Sequence, residues 1–386
     1  MSAQDRIIFG QPWLDDTEEQ LVRQTLRSGW IGQGPLVELF EERLGHYLAA
    51  KHVVAVSSCT AGLHLALTAA GVGPGAEVIT TPFTFVATLN AITHVGAKAV
   101  LVDIDPETLN LAPEHVADAI TPDTAAVLPV HFGGRPLDVV AYERIADEHG
   151  VWIVADAAHA IGAVAAGARV GGRGHPRVIS VFSFYPNKNL ASAEGGAIVL
   201  ADDEIAQRLR RLRLHGLDVD AWKRYRTGQY RPSLALEAGF KYNWTDLQAA
   251  IALGQLEKLE GFLATREYLA DVYDRLLAEL PAVRVVDRGT ASLDYRHALH
   301  LYQAAIELPP PARDQIVARL LEQGIGAAVH YIGVNHHPAY RTDERFPASD
   351  WASEALVTLP LHPRLDDTDL ARVTEALAQA LQEVGV

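Results

Sequence analysis

The feature that most constrains the fold is a repeated alternation of short apolar runs and longer helical stretches between Lys51 and Leu200. Each run is rich in β-branched or other apolar residues and ends in polar residues. Continuous apolar runs suit strands that are covered on both faces, so the pattern predicts a mostly parallel sheet with crossover helices. The predicted strands are 53–56, 77–80, 99–102, 125–130, 152–155, 178–182 and 197–200.

The pattern changes after residue 243, where Thr245 is suited to cap a helix that begins at Asp246. We predict a second helix at 268–280, strands near 283–286, 301–306 and 327–331, and a last helix at 367–382. These elements describe a small α+β domain. Because 386 residues exceed the size at which one core usually stops growing, we predict two domains. Residues 1–255 hold an N-terminal arm and the large domain, and residues 256–386 form the small C-terminal domain.

The formal net charge of −15 disfavours a nucleic-acid-binding surface, which needs clustered cations to displace counterions from phosphates. The sequence has no run near the roughly 20 apolar residues of a membrane helix, and its start lacks the layout of a secretory signal. The single Cys59 excludes an internal disulfide. We therefore expect a cytoplasmic protein without nucleic-acid or membrane partners.

A lysine follows the predicted strand 178–182, in the segment Ser183-Phe-Tyr-Pro-Asn-Lys-Asn-Leu190. Lys188 would stand on a rigid loop beside a strand end, among aromatic and small residues. Partial desolvation there lowers the pKa of an amine and makes it a nucleophile for an aldehyde. Considered alone, the residue fits a solvated surface position better, because most lysines lie there.

An acidic residue, Asp156, ends the strand 152–155, and His159 follows three residues later. A carboxylate in that place can keep a pyridine nitrogen protonated, and the histidine can reach a hydroxyl on the same ring. Asp156 is also compatible with a helix cap, and His159 with a hydrogen-bonded core histidine.

Small polar residues in 57–64 stand between a strand and a helix, where free backbone N–H groups can bind a phosphate. Hydroxyls of Thr60 and Ser183 would add to this seat, although such residues are also ordinary caps. Phe85 could stack on a pyridine ring, or it could be plain core. Taken jointly, these segments supply a phosphate seat, a ring stacker, a nitrogen partner and a lysine at one sheet edge, as pyridoxal 5′-phosphate requires.

The stretches 29–35, 57–62, 80–90, 156–162, 183–196 and 239–246 resemble the DegT/DnrJ/EryC1/StrS family of sugar aminotransferases. The likeness spans essentially the whole chain. Within the family the chain is most similar to the aminotransferases that make UDP-4-amino-4-deoxy-L-arabinose. The similar segments are 214–221, 241–243, 324–326, His330 and 345–347.

The resemblance implies an α/β, aspartate-aminotransferase-like fold of the pyridoxal-phosphate-dependent transferases, fold type I. This fold has a large cofactor-binding domain with a mostly parallel seven-stranded sheet and a small C-terminal α+β domain. The resemblance also implies a homodimer with active sites at the subunit boundary. The implied reaction moves an amino group from glutamate, through pyridoxamine phosphate, to the keto carbon, preferably C4, of a UDP- or TDP-linked pentose or hexose. Amino-sugar biosynthesis for a polysaccharide or an antibiotic is the implied setting.

The resemblance also assigns roles to single residues. Lys188 is the cofactor-linked lysine and general acid/base, Asp156 contacts the pyridine nitrogen, and His159 lies near the ring hydroxyl. The other cofactor contacts implied are Thr60, Ala61 and Ser183 at the phosphate, Phe85 over the ring, and Asn243 from the neighbouring subunit. Many relatives carry Asn and Arg where this chain has Lys241 and Asn243, so either residue could reach the partner's phosphate, and we favour Asn243.

Substrate contacts are predicted for Trp30, Tyr185, Arg231, Lys241 and His330. The densest basic run, 222–231, is interpreted as a loop that binds the diphosphate, or else as a solvated loop. His336 and His337 lack the spacing of a metal site, so no metal is expected. Two alternatives remain: a sugar dehydratase, disfavoured by Lys188, and a non-catalytic cofactor-binding regulator, which would need an appendage.

Overall fold

The computed structural model describes residues 6–219, 222, 225 and 232–385. Two helices precede the sheet, α1 (Asp16–Ser28) and α2 (Pro35–Leu48). The sheet strands are β1 (His52–Val56), β2 (Glu77–Thr80), β3 (Lys98–Leu101), β4 (Thr124–Leu128), β5 (Trp152–Asp156), β8 (Val178–Ser183) and β9 (Gly196–Leu200). The helices among and after them are α3 (Cys59–Ala69), α4 (Val86–His94), α5 (Pro113–Ala119), α6 (Val139–His149) and α7 (Asp203–Leu212). None of the helices in these ranges has the length and apolar character to cross a membrane.

The seven strands form one sheet in the order β1-β9-β8-β5-β4-β2-β3. Only β9 runs against its neighbours, so the sheet is mostly parallel, as predicted. Six of the strands are almost entirely buried because helices cover both faces, whereas the edge strand β3 is partly exposed. The carboxyl ends of β1, β2, β4, β5 and β8 therefore meet at one edge, which is where such sheets bind ligands.

A two-stranded excursion, β6 (Val164–Ala165) and β7 (Ala168–Arg169), pairs with β11 (Tyr295–Arg296) from the C-terminal part of the chain. Beyond the sheet the chain forms α8 (Asp246–Leu277), β10 (Val283–Val285), β12 (Tyr302–Ile306), α9 (Ala312–Glu322), α10 (Pro347–Ala355), β13 (Leu356–Leu359) and α11 (Asp367–Val384). Strands β10, β12 and β13 make a small antiparallel sheet on which α9 and α11 pack.

The long helix α8 confirms the predicted start and corrects the predicted length. Thr245 caps it by accepting a hydrogen bond from the Gln248 N–H group. We predicted a separate helix at 268–280, but α8 runs without a break to Leu277. Its first half packs with the large sheet and its second half packs in the core of the small sheet. Two cores thus stabilise one helix, and the predicted boundary at residue 255 lies within it.

The predicted strand 327–331 is wrong. In that segment only Ala328 pairs with another chain segment, through a single bridge to Thr358. The third strand of the small sheet is instead β13, which pairs along its length with β12. Strand β13 was not predicted because its four residues, three of them apolar, follow helix α10 without a turn signal.

Candidate active site

A cleft of about 1220 Å³, including its open mouth, lies at the carboxyl edge of the large sheet. Residues that follow β1, β2, β5 and β8 line it, together with two residues that follow α9. The predicted site residues that line the cleft are Thr60, Phe85, Asp156, His159, Ser183, Tyr185, Lys188 and His330. Segments more than 100 residues apart in the chain thus meet here because the parallel strands end together.

Lys188 stands on the loop that joins β8 to β9. The Phe184 N–H group donates to the Gly195 carbonyl at 2.9 Å, and the Lys188 N–H group donates to the Tyr185 carbonyl at 2.8 Å. Phe184 and Leu190 are fully buried on either side, so the loop is anchored at both ends. Burial lowers the pKa of the Lys188 amine to about 8, although the charge of Asp156 opposes the shift. A substantial fraction of this amine is therefore neutral near physiological pH.

Asp156 ends strand β5 with only 6% of its surface exposed. Its Oδ2 accepts a hydrogen bond from Thr88 Oγ1 at 2.9 Å, and its Oδ1 accepts one from the Ala158 N–H group at 3.1 Å. Burial raises the pKa of Asp156, while these hydrogen bonds and the charge of Lys188 act against the rise. A cationic group placed beside this carboxylate would favour its ionised form.

His159 is a buried, neutral imidazole because burial and the charge of Lys188 hold its pKa well below the ordinary value. Its Nδ1 lies 3.2 Å from the Gly133 N–H group and accepts from it. The ring proton of the neutral form is therefore on Nε2. That nitrogen lies 3.2 Å from the Tyr331 hydroxyl, so the ring orientation is set from two sides.

The phosphate seat is the start of helix α3. The Ser58 side chain caps the helix by accepting from the Ala61 N–H group at 3.1 Å. The first N–H groups of a helix have no carbonyl partner within that helix. The N–H groups of Cys59 and Thr60 are therefore available to donate to an anion. Ala61 lies in this turn but does not line the cleft.

Gly196 on β9 allows the start of α3, where the phosphate is expected to bind, to pack closely against that strand. A Cβ atom on Gly196 would lie 2.7 Å from the Cys59 backbone nitrogen. Only a residue without a side chain permits this approach.

Two aromatic residues line the mouth of the cleft. Phe85 occupies the N-cap position of α4 and is 57% exposed, with its ring centroid 5.9 Å from that of Tyr331, so it is accessible for its predicted stacking role. Tyr185 is 49% exposed.

His330 packs on Phe9, with ring centroids 5.1 Å apart, and burial lowers its pKa to about 4.

Several predicted residues do not reach this cleft within the described part of the chain. Trp30 packs against Trp222 and Tyr225, with ring centroids 5.0 Å and 5.4 Å away. The Lys241 amine instead contacts the Asn243 side chain, away from the cleft lining. Arg231, and most of the basic run 222–231, lie outside the described residues.

The structure adds contacts that sequence reasoning missed. Thr88 bonds to Asp156, Tyr331 bonds to His159, and His300 lies 3.2 Å from the Lys188 amine. Thr88 lies one helical turn after Phe85, and Tyr331 directly follows His330, so their positions in the sequence pointed to the site. His300 is more than 100 residues from Lys188, and nothing in the sequence pointed to its contact with the lysine. Across residues 6–219 and 232–385, the structure has no cluster of three or more His, Cys, Asp and Glu side chains able to hold a metal.

The donor set fits pyridoxal 5′-phosphate. The start of α3 offers N–H groups for a phosphate, Asp156 offers a carboxylate for a ring nitrogen, and Lys188 offers an amine for an aldehyde. The cofactor, when bound, supplies an electron-accepting ring and an aldehyde that carries the amino group. Together with the mostly parallel sheet, this site defines a pyridoxal-phosphate-dependent aminotransferase, and pyridoxamine phosphate is the second form of its cofactor.

Comparison with known proteins gives the family. The sequence model of the DegT/DnrJ/EryC1/StrS aminotransferase family matches residues 12–378, and the chain belongs to this family. It is 38% identical over 380 residues to an uncharacterized protein, MJ1066, of Methanocaldococcus jannaschii, covering 97% of each chain.

Solved structures agree with this assignment. The aminotransferase TlmJ from Streptoalloteichus hindustanus superimposes with a TM-score of 0.90 and 31% identity, covering 98% of this chain and 100% of TlmJ. The pyridoxamine form of Spr1654 from Streptococcus pneumoniae, a proposed sugar aminotransferase, gives a TM-score of 0.90 and 30% identity, with coverage of 98% and 100%. The protein is a pyridoxal-phosphate-dependent sugar aminotransferase.

Proposed function

We propose that the protein transfers an amino group from glutamate to the C4 keto carbon of a UDP- or TDP-linked pentose or hexose. One observation carries the proposal: a lysine amine with a pKa of about 8 lies in the same cleft as the buried carboxylate of Asp156, and this cleft has an open mouth. The likeness to a proposed sugar aminotransferase supports a sugar as the acceptor.

Lys188 is proposed to carry the proton transfers of both half-reactions. A neutral amine can take a proton from the donor's α carbon, and the ammonium can later return a proton to the sugar carbon. A pKa near 8 keeps both forms accessible at neutral pH. The buried Asp156 is proposed to hold the cofactor's pyridine nitrogen, with His159 beside its ring hydroxyl and Phe85 over its face.

Asn243, or else Lys241, is proposed to bind the cofactor phosphate of a partner subunit. Neither residue lines the cleft of its own chain, which supports a contact with the phosphate of a second copy. Large apolar side chains are exposed near the N-terminus of the described chain and beside the basic run, which supports a homodimer with sites at the interface. They are Ile8, Trp13, Leu14, Leu26, Ile31, Leu234 and Leu236.

The sugar is proposed to contact Tyr185 and His330 in this cleft, and Trp30 and the basic run 222–231, with Arg231, from a neighbouring subunit. Tyr185 and His330 line the cleft, whereas Trp30 lies beside the described residues of the basic run. The cation-rich run offers the charge that a diphosphate needs in a chain with a net charge of −15. We also propose that the enzyme works in the cytoplasm and that residues 1–255 and 256–386 act as its two domains.

A panel of keto sugars tests the substrate. The protein is converted to its pyridoxamine form with glutamate and incubated with UDP- and TDP-linked 3-keto and 4-keto sugars, while the return of the aldehyde form is followed by absorbance. We expect a 4-keto sugar nucleotide to restore it fastest. Lys188→Ala should lower turnover by at least about 1000-fold, whereas Lys98→Ala, at a surface ion pair with Glu77, should leave it unchanged. Restoration only by free keto acids would contradict a sugar substrate.

A further inference from the structure

The Lys188 amine lies 3.2 Å from Nε2 of His300, a residue that the proposed function does not use. His300 is only 4% exposed and does not line the cleft, so its ring reaches the amine from beneath the site. Its Nδ1 is buried without a hydrogen-bond partner. Among the described residues, Lys188 is therefore the only hydrogen-bond partner of the His300 ring.

The backbone around His300 is held in a fixed and uncommon shape. Arg266 donates from Nη1 to the carbonyls of Leu299 at 3.0 Å, His300 at 3.4 Å and Leu361 at 2.8 Å. Leu299 has a φ of 49°, in the left-handed region that residues other than glycine rarely adopt. Such backbone conformations concentrate at functional sites, where the surrounding structure enforces them.

A side chain from the lysine loop ties the two segments together. Asn189, the residue after Lys188, donates from Nδ2 to the Ala298 carbonyl at 2.6 Å. It is 4% exposed, so the bond is shielded from water. The spacing between the amine of Lys188 and the ring of His300 is thus set by the fold and does not depend on two free side chains meeting.

The charge states of Lys188 and His300 determine which of the two residues donates the hydrogen bond. The charged or titratable groups that face His300 are Lys188, His159, His330 and Arg266, and with burial they hold its pKa well below the ordinary value. A protonated lysine has donors and no acceptor, so a neutral His300 must accept at Nε2. When Lys188 is neutral it can still donate an N–H to the same atom. Its lone pair is then directed away from His300.

We propose that His300 is a positioning residue for Lys188: its Nε2 accepts a hydrogen bond from the free amine and holds it in place between proton transfers. The inference rests on the proposed role of Lys188. The His159 ring, whose centroid is 4.4 Å from that of His300, packs beside the contact and limits its movement.

The test measures how fast the cofactor-free, full-length protein links to added pyridoxal 5′-phosphate, as a function of pH. In His300→Phe the high-pH rate should fall about tenfold because a hydrogen bond to a charged or polar group is lost. The midpoint of the pH profile should move to lower pH, since the buried ammonium loses its acceptor. His300→Gln places an amide oxygen near the position of Nε2 and should restore both properties.

A matched control separates positioning from general destabilisation. His362 is a buried histidine that bonds to the Ile8 carbonyl at 3.1 Å and does not face Lys188. His362→Phe should lower the thermal unfolding midpoint and leave the pH midpoint of linkage unchanged. The inference is overturned if His300→Phe keeps the wild-type midpoint, or if His300→Gln fails to restore it while folding normally.

Borohydride trapping distinguishes the two levels of failure. If the wild-type label falls on a peptide other than that of Lys188, the proposed function fails. If the label is on Lys188 but the pH profiles of wild type and His300→Phe coincide, only the role of His300 fails.

Discussion

Thr88 Oγ1 donates a hydrogen bond of 2.9 Å to Oδ2 of Asp156, joining helix α4 to the end of strand β5. Both residues are buried, and the Thr84 hydroxyl lies 2.8 Å from that of Thr88. A donor to a buried carboxylate favours its ionised form. Thr88 therefore favours the ionised form of the proposed partner of the pyridine nitrogen, against the opposing effect of burial.

Replacing Thr88 by Val removes this donor and keeps the side-chain shape. The pKa of Asp156, already raised by burial, should rise further. At neutral pH fewer carboxylates would then be ionised, and we expect the Kd for pyridoxal 5′-phosphate to increase about tenfold. Fluorescence titration of cofactor-free protein measures it. Thr93→Val, on the exposed side of the same helix, is the matched control, and equal Kd values for the two variants would refute this role.

The buried His131 makes stability depend on pH. Burial lowers its pKa to about 3, so the unfolded chain takes up a proton near pH 6.5 while the folded chain does not. Stability is therefore full above pH 6.5 and is lost as the pH falls towards 3. This one group should account for about 2 kcal/mol between pH 8 and pH 5.

The His131→Asn variant tests this dependence. Its amide oxygen can replace Nδ1, which accepts from the Leu137 N–H group at 3.1 Å. Urea unfolding at both pH values should show a smaller loss of stability in the variant than in wild type. The same exchange at His115, which is exposed on α5, controls for the substitution itself. An identical loss in wild type and His131→Asn would show that another group is responsible.

Mixing two impaired variants tests the proposed shared active site. Lys188→Ala removes the reactive amine, and Asn243→Ala removes the proposed contact from the neighbouring subunit. In a hybrid dimer one site carries both defects and the other carries neither. An equal mixture that exchanges subunits should regain roughly a quarter of wild-type turnover, because half of the dimers are hybrids with one intact site. Activity no higher than the mean of the separate variants would mean that each subunit's site is complete.

The basic run is proposed to bind the substrate diphosphate. The triple variant Arg224→Ala, Arg226→Ala and Arg231→Ala should raise the KM for the sugar nucleotide at least about tenfold, since charge-assisted contacts to phosphate are lost. The KM for glutamate should stay the same. A triple exchange of Arg23, Arg144 and Arg319, which lie in exposed ion pairs elsewhere, removes the same charge. Equal effects of the two triple variants, or equal effects on both substrates, would contradict the assignment.

Much of the large domain could be predicted because its strands are continuous apolar runs whose ends carry polar residues. All seven predicted strands occur, with ends within two residues of the structure. Because parallel strands share one carboxyl edge, the same reading brought Asp156 and Lys188 together before their contacts were known. Helix α8 was harder to predict, since no local signal shows that two cores bury one continuous helix.

Some residues at the carboxyl edge do not serve the site, and only their contacts show this. Asp103 follows β3, yet its carboxylate accepts hydrogen bonds from the N–H groups of Ala348 and Ser349 at the start of α10. His131 accepts from the Leu137 N–H group and stays beneath the cleft. A sequence places a side chain at an edge but does not choose its hydrogen-bond partner.

The positions of the strands along the chain, the polar residues at their ends and the lysine loop between two buried strands were determined by the sequence alone, because local periodicity and chain direction define them. The tertiary structure decided which distant groups touch them, including Thr88 at Asp156, Tyr331 at His159 and His300 at Lys188. These contacts depend on how the C-terminal part of the chain packs on the sheet. Such packing sums many small apolar contacts over long sequence separations, and no local pattern records it.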